Sequence, residues 1–226
     1  MILFRRKINL FLVSLLLLTS CGEKFQANKE TFYVRSDEKE WLVDVSIEDY
    51  FQLTDSLSNA ELFTLENEWS GFNSEIYSTG FDKEITDYQT IGQRFKSDRA
   101  NYFSISLEAK EPPQGTILRV NLKRIQYDYD LKYQKLISLS AMDDSKHISF
   151  WDNRYQEFQE DGIGSKVEYL DSLEINNQLY TSLLLFRLND FLDQWVDSTI
   201  VVIVIAKNIG LVQYSMNNGI RIIRLN

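Results

Sequence analysis

Between Phe103 and Tyr133 the chain alternates apolar and polar residues with a period of two, and no other feature constrains its fold as strongly. Phe103, Ile105, Leu107 and Ala109 alternate with Ser104, Ser106 and Glu108. Successive side chains of a strand point to opposite faces, so this segment reads as a strand with one buried face. Pro112-Pro113-Gln114-Gly115 then marks a turn or bend. Beyond it, Leu118, Val120 and Leu122 share one parity, while Ile125, Tyr127, Tyr129, Leu131 and Tyr133 take the other. A change of parity within one strand would turn the apolar set outward. One extra residue near Lys123-Arg124 repairs it and predicts a β-bulge there; a break into two strands is the alternative. A bulge bends and coils a strand, which suits a curved sheet.

The rest of the chain repeats the pattern. Aromatics are abundant, with 14 Phe, 12 Tyr and 4 Trp, and this favours sheet over helix. Thr31–Arg35 and Glu40–Val45 are strand candidates, the second with Trp41, Val43 and Val45 on one face. Ser58-Asn59-Ala60-Glu61 matches a capping box and, with Leu62 and Leu65, predicts a short helix over Asn59–Glu66. Ser172 to Phe186 reads as a hairpin around Asn176-Asn177. Leu188, Phe191, Leu192 and Trp195 form one helical stripe, with Asn189 or Asp190 as cap. Ile200 to Ala206 is continuously apolar and must be a central strand covered on both faces. Asn218-Gly219 is a preferred two-residue turn, placing Tyr214 opposite Ile223 and Val212 opposite Leu225. A turn one residue earlier would pair Tyr214 with Arg221. The expected fold is mainly β, a β-rich α+β arrangement. It is a curved antiparallel sheet or half-barrel with one or two short helices, forming a single domain over residues 31–226.

The N-terminus carries a different signal. Arg5-Arg6-Lys7 precedes an apolar run from Ile8 to Leu18, followed by Thr19, Ser20 and Cys21. Basic residues, a short apolar run and small residues in that order make a secretory signal peptide over 1–20. The run is shorter than the roughly 20 apolar residues that span a bilayer. Leu18-Thr19-Ser20-Cys21, ending in the sole cysteine, resembles the lipobox of bacterial lipoproteins. That resemblance implies cleavage between Ser20 and Cys21 and lipidation of Cys21. It also implies an anchor in the cell envelope. In that family an aspartate after the cysteine is associated with inner-membrane retention; Gly22 stands there, which points to the outer membrane. Residues 21–30 are polar beyond the cysteine and read as a flexible tether. Removing residues 1–20 leaves 21 basic against 33 acidic residues, a net charge of −12. That disfavours nucleic acid and bare anionic lipid, both of which need a basic face.

Ala206-Lys207-Asn208-Ile209-Gly210-Leu211-Val212-Gln213-Tyr214 resembles an ending shared by small bacterial lipoproteins, and Leu173 to Tyr180 resembles the hairpin before it. Those proteins are similar to the coiled antiparallel half-barrels of the lipoprotein-localisation-factor type. The resemblance covers the last 60 residues and implies a curved sheet with no catalytic residues. Asn208 stands where a second glycine is common, and Gly210 reads as a backbone requirement.

Chemistry is sparse. His147 is the single histidine and reads as part of a loop. No nucleophile elbow, calcium loop or phosphate-binding glycine loop is found, so no catalytic residue, metal ligand or cofactor is expected. Asp128 and Asp130 share one strand face, opposite Tyr127 and Tyr129, and read as a solvated outer face. Of the four tryptophans, Trp41 and Trp195 fit core stripes. Trp151, beside polar residues, is the candidate ligand contact. The leading functional expectation is an envelope lipoprotein that binds an apolar molecule without catalysis. A structural or adhesive subunit of an envelope complex is the alternative, and a glycan or lipid hydrolase a third.

Overall fold

Alternation along the chain becomes strand after strand. The computed structural model describes residues 28–46, 49–79, 82–123, 125–142, 147–151, 165–188 and 200–225. Its strands are β1 (Asn28–Phe32), β2 (Tyr50–Asp55), β3 (Ala60–Thr79), β4 (Asp82–Ser97), β5 (Tyr102–Glu108), β6 (Ile117–Leu122) and β7 (Ile125–Asp130). They continue with β8 (Lys135–Met142), β9 (His147–Trp151), β10 (Ser165–Ile175), β11 (Gln178–Leu188), β12 (Ile200–Ala206), β13 (Gly210–Met216) and β14 (Arg221–Leu225). The protein is mainly β, and the strands form one antiparallel sheet. Their order is β10-β11-β12-β13-β14-β2-β3-β4-β5-β6-β7-β8-β9, with β1 against β4.

Among the described residues the chain divides into a smaller unit, within 28–30 and 74–87, and a larger one, within 31–73 and 88–225. In the smaller unit, buried Asp87 takes a 2.7 Å ion pair from Lys29 and a 2.6 Å hydrogen bond from the Ser74 hydroxyl. Those two donors, Lys29 first, hold its carboxyl below the usual range.

In the larger unit the sheet curves like a barrel wall, and β8 and β10 approach each other. Its concave face is filled by its own side chains. Phe51 stacks on Phe63 at 5.1 Å, lies tilted against Phe95 and meets Phe103 edge-on. Tyr127 and Phe186 meet at 4.9 Å. Leu53, Phe63, Phe95, Phe103, Ile105, Leu118, Val120, Leu122 and Tyr127 are fully buried.

Several expected elements take another form. The parity change at Lys123-Arg124 is a break into two strands, not a bulge. Leu122 lies directly opposite Ile125 across a two-residue turn, and Lys123 adopts a φ of 55°. Two residues facing each other across a hairpin share a face, so the turn resets parity without displacing a side chain. Asn59–Glu66 is not a helix but the start of β3. Period two wins because Glu61 and Phe63 are buried while Leu62 and Thr64 are exposed. Asp55 takes the capping role instead, accepting the amides of Leu57 and Asn59, each at 2.9 Å.

Glu40–Val45 is a 3-10 turn at Lys39–Trp41 followed by a single parallel bridge between Val43 and Asn208. The amide side chain of Gln93 replaces a neighbouring strand. It accepts from the Val43 N–H at 2.8 Å and donates to the Val43 carbonyl at 2.9 Å. Trp41 and Val43 are nevertheless buried. At the N-terminus the strand is Asn28–Phe32 rather than Thr31–Arg35. The helical stripe Leu188–Trp195 lies outside the described residues except for Leu188, which ends β11.

The β10–β11 hairpin turns at Asn176-Asn177, both with positive φ. The β13–β14 hairpin pairs Tyr214 with Ile222, one residue from the expected register. Its loop holds three residues, with Gly219 at φ +83° and the Met216 N–H donating to the Ile220 carbonyl. A three-residue loop ending in left-handed glycine is the next commonest hairpin connection. It puts Tyr214 and Ile222 together in the inner core.

Candidate functional site

Strand β12 reaches both faces of the sheet. Ile203 and Ile205 belong to the inner core, while Val204 and Ala206 belong to a second apolar cluster on the opposite face. A continuously apolar strand demands such a cover, and the β10–β11 hairpin supplies it. In the middle of that hairpin the pairing skips Asp171 and Ser182, and Ser182 has a φ of 55°. Left-handed backbone in a non-glycine residue marks a sharp local deviation. Beyond it, Ile175 and Tyr180 pack with Leu183, Leu185, Val204 and Val212. Burial pushes the Tyr180 hydroxyl pKa up, opposed by the charge of Arg224.

Between the hairpin tip and the strands lies an open groove of about 320 Å3. Leu173, Glu174, Ile175 and Asn176 form its tip wall. Its floor follows the ladder registers. One row runs Leu185, Val204, Gln213, Ile223 and the next runs Arg187, Val202, Ser215, Arg221. The two arginines therefore stand at the ends of one row, three strand spacings apart, on the order of 14 Å. Among the described residues neither makes an ion pair or a side-chain hydrogen bond. The groove thus offers an apolar strip beside the two arginines, whose row holds Val202 and Ser215 between them. Small-molecule sites of this kind start at roughly 300 Å3, with apolar lining and a few placed polar groups.

No family model, curated protein or solved structure matches this chain.

The residues singled out from the sequence lie elsewhere. Ser20 and Cys21 fall outside the described residues. Trp151 closes β9 with its backbone opposite Ser138, and His147 opens that strand instead of sitting in a loop. Trp41 is core, with the Lys207 ammonium 5.5 Å from its ring. Trp69 presses on Gly92, where a Cβ would collide with the indole.

Asp128 and Asp130 are not on a solvated face; both are buried. Arg119 grips Asp128 with two bonds, at 2.7 and 3.0 Å. Asp130 accepts the amides of Gly115, Lys132 and Tyr133 and so ties the 112–115 turn to the β7–β8 turn. Alternation places both on the face opposite the tyrosines, but it says nothing of an arginine or a loop folded over them. Buried Glu38 is likewise engaged, by the Arg35 amide and the Thr116 hydroxyl. These carboxylates hold turns and strands together.

The groove escaped sequence reading for a definite reason. The cover over β12 was legible, but its source depends on the bend at Ser182, and nothing in Thr181-Ser182-Leu183 announces a left-handed residue.

Proposed function

We propose that this chain is a lipid-anchored protein of a bacterial cell envelope, held at Cys21, whose outer-face groove binds an amphipathic anion. The ligand class is an apolar chain or ring with an acidic head. The N-terminal order of basic flank, apolar run and Thr-Ser-Cys supports the anchor. The observation that carries the binding reading is the groove itself. Its apolar strip, from Leu173 and Ile175 to Leu185, Val202 and Ile223, runs beside Arg187 and Arg221. Two arginines without an ion pair among the described residues suit an anionic head, which a guanidinium recognises in bidentate fashion. The buried carboxylates, engaged as they are in structural hydrogen bonds, favour binding over hydrolysis.

The test is titration of a fluorescent medium-chain fatty acid into a chain beginning at Gly22. Saturable binding is expected, weakened about tenfold by Arg187→Gln or Arg221→Gln, which corresponds to ~1.4 kcal/mol each. Leu185→Asp should abolish it. Equal binding by all variants would refute this assignment.

A second reading, a subunit of an envelope complex, is favoured by one stretch of β3. In the smaller unit every residue from Ser74 to Ser78 is exposed, Ile76 and Tyr77 among them. A strand segment that exposes two large apolar side chains suits a protein contact. Photocrosslinking from position 76 in intact cells would capture such a partner.

A further inference from the structure

Away from the groove, four turns of the larger unit surround a small pocket of about 140 Å3 with charged groups on one side and apolar ones on the other. They are the β2–β3, β4–β5, β6–β7 and β13–β14 turns. Two carboxylates and two cations line it: Asp55, Glu61, Arg99 and Lys123.

The carboxylates are already engaged. Glu61 is buried; one of its oxygens accepts from Asn101 at 2.6 Å and the other from the Tyr214 hydroxyl at 2.9 Å. Asp55 accepts two backbone amides on Oδ1 and the Asn59 side-chain amide on Oδ2, at 2.9 Å. The Asn59 side chain, then its backbone N–H, hold the Asp55 carboxyl below its usual range.

The cations are not so engaged. Arg99 spends one N–H on the Ala60 carbonyl at 2.8 Å. A guanidinium has five. The Lys123 ammonium lies 5.1 Å from the Tyr214 ring and makes no hydrogen bond or ion pair among the described residues. Burial lowers its pKa; the Glu61 carboxylate opposes this, and the charge of Arg99 adds a smaller lowering. Among the described residues neither cation has a carboxylate within hydrogen-bond reach, so both keep N–H donors for a bound group.

The pocket therefore combines occupied acceptors with open donors. We propose that it binds a single small oxyanion, a phosphate or carboxylate group, held between the Lys123 ammonium and the Arg99 guanidinium. Its volume corresponds to some four or five water molecules at ~30 Å3 each, enough for one such group. Met216, Ile220 and Ile222 close the apolar side and leave no room for a large head group. The chemistry is shared by free phosphate and by a phosphate monoester on a lipid.

The experiment follows thermal unfolding of the full-length chain in a neutral detergent. Inorganic phosphate is added in one arm and dihexanoyl phosphatidic acid in the other, with sodium chloride at matched ionic strength as control. A ligand that binds only the folded state raises the midpoint by mass action. A saturable rise is expected, with apparent affinity cut at least tenfold in Lys123→Gln and Arg99→Gln and kept in Lys123→Arg. A lipid that acts at lower concentration than phosphate, with the same dependence, identifies a head group; equal potency identifies the free anion. Where Lys123→Gln does not fold, Arg99→Gln on its exposed turn reads the same dependence. No saturable rise in either arm, or an equal rise in both glutamine variants, overturns the proposal.

Discussion

Tyr127 carries the one buried side-chain polar atom among the described residues that lacks a hydrogen-bond partner. Its ring is fully enclosed against Phe186, so the phenol has exchanged water for nothing. Such a group costs about 1–3 kcal/mol, and its burial also pushes the hydroxyl pKa far above the usual tyrosine value. Tyr127→Phe keeps the ring and removes the stranded oxygen. It should raise the unfolding free energy by about 1 kcal/mol in urea denaturation. A loss of that size would mean that the hydroxyl has a partner in the folded protein. Tyr214 is the contrasting case, since its hydroxyl donates to Glu61. Gly210 shows a different constraint at the same scale. Its φ of +75° and the Val43 side chain against its missing Cβ leave room for glycine alone. Asn208, two residues earlier, reaches the left-handed region at 62°, as asparagine often does.

Among the elements, the bend in the β10–β11 hairpin decides whether the groove exists. Ser182 pays for it with left-handed backbone, which costs an L-residue roughly 1–2 kcal/mol. Ser182→Gly should relieve that cost, partly offset by glycine's greater unfolded entropy, for a net gain of up to ~1 kcal/mol. Ser182→Val should lose stability and also fatty-acid binding, because β-branching disfavours that conformation. Stability read by urea and binding read by fluorescence check the pair. If Ser182→Val bound normally, the hairpin tip would not form the groove wall. Legibility varied at this scale for physical reasons. Phe103–Ala109 and Ile200–Ala206 were readable because burial alone sets their pattern. The hairpin at Asn176-Asn177 was readable because both residues tolerate positive φ. The capping-box match at Ser58–Glu61 misled, because those residue types serve turns as well as helix starts, and the partners of Glu61 lie 40 and 153 residues away. The last hairpin slipped by one residue because Asn217-Asn218-Gly219 supports a two- or three-residue loop equally well. Neither candidate pocket was visible, since each is assembled from cations on strands and turns far apart in sequence.

For the molecule as a whole, the order of strands matters more than any single contact. β14 does not lie at an edge. It sits between β13 and β2, with Ile222 opposite Asp55 and Leu225 opposite Gln52. Strands near the two ends of the described chain therefore meet in the interior of the sheet. Ending the chain after Ile220 should split the sheet there, exposing β13 and β2 as bare edges that aggregate. Size-exclusion chromatography and hydrogen exchange of β2 amides would show it; a monomer with protected β2 amides would mean that β2 is held by β3 alone. The same arrangement sets a clock. A chain that emerges N-terminus first carries β2 with one unpaired edge until β14 has been delivered, and pairing over such a separation is slow. Throughout that interval the growing sheet keeps an edge onto which a second chain can add a strand.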